Sequence, residues 1–132
     1  MKGIADTGFL VAAANRHDQF HPWAVALAQE IHEPLITCEA VLAEAAFHLQ
    51  NVELVLTLVR EGLVAPVFNL AENRPRLETL ARRYRDRTPD LADLCLICLS
   101  EDYPTLSVIT TDSRDFRIYR RFQRQSIPLI TP

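Results

Sequence analysis

The chain has almost no lysine: Lys2 is the only one beside thirteen arginines. Its positive charge is therefore carried by a planar group that grips phosphate in a bidentate way and stacks on bases. It also has no apolar run approaching the roughly 18 residues of a membrane span, and its first residues lack a signal-peptide pattern, so a cytoplasmic protein with no membrane association is expected. Three cysteines, an odd number, argue against a disulfide framework. There is no internal repeat, low-complexity segment or linker, and 132 residues are enough for one domain, 1–132, with a real core.

What is present is ordinary in bulk and uneven in detail. The hydrophobic fraction is 48% and the charged fraction 23%, as in a soluble globular domain. Net charge is −3, but residues 1–66 carry −5 and residues 67–132 carry +2. The arginines bunch in "ARRYRDR" and "RIYRRFQR". A charge run of this kind is more often a solvated helix face than a nucleic-acid contact, so it does not decide function by itself.

Strand-like and helix-like segments alternate. Lys2–Ala5 reads as a strand and Phe9–Ala14 as a short helix. Pro22 suits the first turn of a helix reaching to about Ile31. "PLIT" (34–37), "LVAPVF" (63–68), "LSVITT" (106–111) and "IPLITP" (127–132) read as further strands. Helices are expected over "EAVLAEAAFHLQ", over "VELVLTLVREG" with Gly62 as its stop, over "PRLETLARRYRDR", and over "TPDLADLCLICLSEDYP". Such alternation predicts a three-layer α/β/α sandwich around a mostly parallel sheet of about five strands. The working crevice of these folds lies beyond the carboxyl ends of the strands, where the strand order reverses.

Acids stand at those ends. Asp6 closes the first strand, and Asp112 and Asp115 follow "VITT". Each could simply cap the next helix. Asp93 lies early in a helix whose apolar arc holds Leu91, Leu94, Cys95, Cys98 and Leu99, and shares the remaining stripe with Asp90, Ile97, Ser100 and Glu101. If the strands are neighbours, Asp6, Asp93 and Asp112 converge. Unpaired like charges a few ångströms apart repel by on the order of 1–4 kcal/mol per pair. A divalent cation relieves that repulsion, and an all-oxygen set favours Mg²⁺ or Mn²⁺ over zinc. Clusters of this type bind metals that activate a water and stabilise the leaving oxygen in phosphodiester cleavage.

The blocks "ADTGFLVAA", "AVLAEAAFHL", "PDLADLCLICLSE" and "VITTDSRDF", in this order and spacing, resemble PIN-domain proteins of the VapC toxin type, over nearly the whole chain. The resemblance implies that Asp6, Glu44, Asp93 and Asp112 are the catalytic, metal-binding acids, with Asp115 as an accessory ligand. Glu39 competes with Glu44, and Asp90 with Asp93. Leu94 stands where the family has a small residue, and its bulk would crowd the site. The resemblance further implies a Mg²⁺- or Mn²⁺-dependent endoribonuclease leaving 5′-phosphate and 3′-hydroxyl ends. An antitoxin protein partner and a homodimer follow from it as expectations. Arg82, Arg83, Arg117, Arg120 and Arg121 would then contact the RNA backbone.

Two other readings compete. One is a non-catalytic PIN-like module that binds RNA or protein. The other is an acid-cluster phosphohydrolase, but the D-x-D pattern of its nucleophile is missing, since Thr7-Gly8 follows Asp6. "CLIC" (Cys95–Cys98) has redox or zinc spacing, yet lies on the most apolar arc of its helix, as core cysteines do. His17 and His21 do not share a clear helix face, and His32 and His48 read as surface or helix-end residues. Thiol and zinc chemistry are therefore set aside.

Overall fold

The computed structural model describes residues 1–132. Five short strands form its central sheet: β1 (Ile4–Ala5), β2 (Leu35–Thr37), β3 (Val64–Pro66), β4 (Val108–Ile109) and β7 (Leu129–Ile130). The order is β3-β2-β1-β4-β7, and every pair is parallel. Helices α1 (Thr7–Ala14), α2 (His21–Ala28), α3 (Glu39–Leu49), α4 (Val52–Arg60), α5 (Arg74–Arg83), α6 (Leu91–Asp102) and α7 (Ser113–Phe116) complete the three-layer α/β/α sandwich expected from the alternation.

The strands are shorter than the apolar runs that announced them. Ladder pairing stops within two or three residues, and the residues just past β1 and β4 turn into the crevice. The strand order reverses between β1 and β4, whose register pairs Ile4 with Val108 and Ala5 with Ile109. All four side chains are fully buried. The Ile109 side chain packs over Gly3, where a Cβ would meet its Cδ1 at 2.8 Å and the isoleucine would have to shift. The β1–β4 register sets Asp6 and Thr110, one residue beyond each strand, side by side.

Local signals were correct for most helices. Gly62 ends α4 with φ of +72°, a conformation glycine adopts freely. Asn51 caps the start of α4 by accepting from Leu54 N at 2.9 Å. α6 departs from the amphipathic expectation: every residue from Ala92 to Ser100 is buried, Asp93, Ile97 and Ser100 included. Its neighbours α3, α5 and β1 enclose it together with an unforeseen antiparallel hairpin, β5 (Arg120–Arg121) and β6 (Gln125–Ser126). No helix is long and apolar enough to cross a membrane.

Candidate metal centre and its acidic cleft

Asp6 does two things at once. Its Oδ1 accepts from Thr7 N at 2.7 Å, so it does cap α1. Its Oδ2 accepts from the Thr110 hydroxyl at 2.6 Å, which ties the end of β1 to the end of β4. The same Thr110 oxygen accepts from Asp112 N at 2.8 Å, and Asp112 Oδ1 in turn accepts from Asp115 N at 3.2 Å, capping α7. The capping and site readings of these acids are therefore compatible: the caps fix where the carboxylates point.

Glu44 reaches the site from the middle of α3, where its Oε1 accepts from the Thr7 hydroxyl at 2.6 Å. Asp93 enters from the first turn of α6, its Oδ2 accepting from the Tyr119 hydroxyl at 3.0 Å. Tyr119 is itself held edge-on by Tyr84 and Phe116, with ring centroids 5.0 and 5.4 Å away. In both Glu44 and Asp93 one oxygen is pinned, while the other has no hydrogen bond within the chain. Neutral donors thus orient these carboxylates without neutralising them.

The carboxylates line a cleft of about 450 Å³ with Asp18, Asp90, His48 and Thr111 at its sides. No lysine or arginine lines it, and none of its acids belongs to an ion pair. Its depth is uneven. Asp6 is 6% exposed and Asp93 8%, whereas Asp112 lies open at the rim. Burial raises the Asp6 carboxyl to about 6 despite its two hydrogen bonds, with Asp112 and Glu44 adding to the effect. Burial, then Asp6, raises Asp93 to about 7. Asp112 is also raised, by partial desolvation and by Asp115 beside it.

Asp93, Asp112 and Asp115 each bring an oxygen within 4.8 Å of the others, a spacing one cation can bridge. Such an all-carboxylate set, with no thiol or imidazole among it, fits a hard divalent ion.

The structure separates several of the competing residues. Glu39, at the start of α3, lines a different hollow with Cys38 and Phe68, so Glu44 is the α3 acid of the cleft. Asp90 and Asp93 both reach the cleft, but Asp90 is an exposed residue ahead of α6, without Asp93's burial or hydroxyl donor. Leu94 points into the core and does not line the cleft, so it does not crowd it. The cysteines are free and buried. Cys38 and Cys95 line the hollow that holds Glu39, away from the acidic cleft.

The arginine expectation needs one correction. Arg121 is 4% exposed, and its guanidinium donates to Ser100 O at 2.9 Å, Ser100 Oγ at 3.1 Å and Pro104 O at 3.0 Å. It anchors the hairpin to the end of α6 and is not available to a phosphate. Its place in an arginine-rich run concealed this, because composition does not distinguish a solvated guanidinium from one spent on backbone carbonyls. Arg82, Arg83 and Arg117 are exposed. Arg120 is half-buried and donates to Arg117 O at 2.6 Å.

Sequence reasoning missed Thr7, Thr110 and Tyr119, the residues that orient the acids. Thr7 and Thr110 lie beside quoted acidic motifs, but hydroxyl roles have no period or charge to reveal them. Gly8 is a further case: a Cβ there would overlap the Thr111 hydroxyl, so α1 can approach the end of β4 only through glycine.

An uncompensated acidic cleft thus lies at the switch point of a doubly wound parallel sheet. The PIN-domain family profile matches residues 4–121, and the chain belongs to that family. Its fold is similar to the crystal structure of the Mycobacterium tuberculosis toxin VapC20, described as cleaving the sarcin–ricin loop. The TM-score is 0.68 at 17% identity, over 82% of this chain and 87% of that one. A comparison with curated proteins found no match.

Proposed function

We propose that this protein is a Mg²⁺- or Mn²⁺-dependent endoribonuclease and the toxin of a toxin–antitoxin pair. The observation that carries the reading is the cleft itself: Asp6, Glu44, Asp93 and Asp112 converge with no cation to balance them. Family membership and the likeness to a VapC toxin support it.

Asp93, Asp112 and Asp115 would hold the ion, with Asp6 and Glu44 completing the acidic surround. A bound divalent ion supplies a more acidic water and charge neutralisation on the attacking and leaving oxygens. The chain's own part is positioning. Thr7, Thr110 and Tyr119 hold one oxygen of Glu44, Asp6 and Asp93 respectively, so the carboxylates do not swing apart when they ionise. The raised affinity of Asp6 and Asp93 for protons makes cation binding compete with protonation, so occupancy should rise with pH through neutrality. An antitoxin would act by covering this cleft, and the protein is expected to pair as a homodimer.

The test is a Mn²⁺ titration of the purified protein followed by water-proton relaxation, alongside cleavage of a labelled RNA mixture. Saturable binding, with cleavage products ending in 5′-phosphate, is the expected result. Saturable metal binding without cleavage of any RNA would instead favour the non-catalytic module.

The arginines supply a second expectation. Arg82, Arg83 and Arg117 are exposed and belong to no ion pair, and Arg120 likewise has no carboxylate partner. RNA affinity should therefore fall steeply with salt. Removing any one of the three exposed arginines should lower the slope of log affinity against log salt by about 0.7, the single-strand value per phosphate contact. A slope that these substitutions leave unchanged would remove them from the RNA path.

A further inference from the structure

The hairpin β5–β6 contributes no residue to the lining of the acidic cleft, and its tip is unusual. Phe122 and Gln123 have φ of +49° and +70°, a left-handed conformation that bulky side chains rarely adopt. Glycine or asparagine would sit there with less strain. The strained turn is nonetheless firmly anchored. Phe122 N donates to Glu101 Oε2 at 2.7 Å, and Glu101 Oε1 is held by Arg76 at 2.8 Å. Beneath it lies the buried Arg121, whose guanidinium carbon is 5.7 Å from the Phe122 ring centre. The result of this bracing is a phenyl ring left 53% exposed.

The surroundings of the ring indicate what it meets. A hollow of about 430 Å³ beside it is lined by Arg76, Arg83, Gln123 and the ring itself, among others. Arg76 is neutralised by Glu101 and Asp102, but Arg83 is not. Arg83, exposed in that hollow, and Arg124, exposed two residues past the ring, are paired with no carboxylate. An exposed aromatic among unbalanced guanidinium groups is the combination that binds single-stranded nucleic acid, by stacking a base while arginines take the phosphates. A protein partner of ordinary charge would leave those arginines uncompensated.

We propose that Phe122 is a base-stacking residue of this protein and that the braced hairpin tip is a second RNA contact, remote from the acidic cleft. The proposal rests on RNA being the substrate. Glu101, which holds the tip, is about 12 Å along α6 from Asp93 at 1.5 Å per residue, a separation that a few nucleotides of extended single strand bridge. The hairpin would thus select single-stranded or splayed-out RNA over a continuous duplex, whose bases are already stacked.

The experiment measures anisotropy of a short fluorescein-labelled single-stranded RNA of random sequence, in EDTA so that no cleavage occurs. Wild type is compared with Phe122→Gly and Phe122→Tyr. Glycine accepts the positive φ freely, so the turn is kept and only the ring is lost. The expected result is a roughly 5- to 150-fold loss of affinity in Phe122→Gly, the range for one stacked base, with Phe122→Tyr close to wild type. Equal affinity in Phe122→Gly and wild type overturns the proposal, and so does equal loss in both variants. Mn²⁺ titration of the same proteins separates this from the nuclease reading. If RNA binding depends on the ring but no metal binds, the stack stands and the nuclease falls. If metal binding and cleavage persist with ring-independent affinity, the stack falls alone.

Discussion

Asp93→Asn is expected to lower metal-dependent RNA cleavage by roughly 10³-fold, the rate equivalent of the several kcal/mol of charge stabilisation that a bound divalent ion supplies. The substitution preserves shape, and the Tyr119 hydroxyl can still donate to the amide oxygen where it now donates to Asp93 Oδ2. What is lost is the one buried charge among the three oxygens that lie within 4.8 Å of each other. Asp90→Asn provides the contrast. That side chain is exposed and unpinned at the mouth of the cleft, so its loss should cost less than about tenfold. Glu39→Gln, in a separate hollow, should leave the rate unchanged. The three variants are compared by initial rates on one labelled RNA at saturating Mn²⁺. Equal rates for Asp93→Asn and wild type would falsify the assignment of Asp93 to the metal centre.

The second large effect concerns stability, and its sign is opposite to that of a salt-bridged acid. In the unfolded chain Asp6 and Asp93 ionise near 3.8, whereas in the fold burial holds them up to about 6 and about 7. Between those limits the folded protein binds more protons than the unfolded one. Without metal, stability is therefore greatest below pH 4 on account of these groups and is lost as pH rises through neutrality. Each tenfold difference in proton affinity between the folded and unfolded chain is worth about 1.4 kcal/mol. Taken together, the two acids make the loss several kcal/mol. That is a large share of the roughly 5–15 kcal/mol that holds a domain together.

Thermal melts in EDTA across pH 4 to 8 should show the decline. Millimolar Mn²⁺ should abolish most of it, because an ion that binds only the folded state stabilises it by mass action. Asp93→Asn should melt higher than wild type above pH 7 in EDTA, and gain little from Mn²⁺. This is the usual exchange of stability for function at a site built from like charges. A flat profile in EDTA would mean that these acids are solvated and not buried as the fold places them.

The fold was legible in the sequence because its signals are local and periodic. Apolar runs marked five strands, Pro22 and Gly62 marked helix ends, and alternation imposed a parallel sheet. The acids were legible because they stand where runs of apolar residues stop. Three things were decided only by tertiary structure. The sheet order, by making β1 and β4 neighbours, brought Asp6 to Thr110 and Asp112 across more than a hundred residues of chain. The enclosure of α6 turned a stripe that looked amphipathic into a buried helix, which is what raises Asp93. The third is the division of labour among the arginines. Arg121 is consumed by carbonyls at the end of α6, while Arg82, Arg83 and Arg117 remain in solvent. Charge and period depend on residue type and spacing, so the sequence determined where carboxylates and guanidinium groups occur. Burial and hydrogen-bond partners depend on which distant segments meet, so only the folded chain determined which of those groups are free to bind anything.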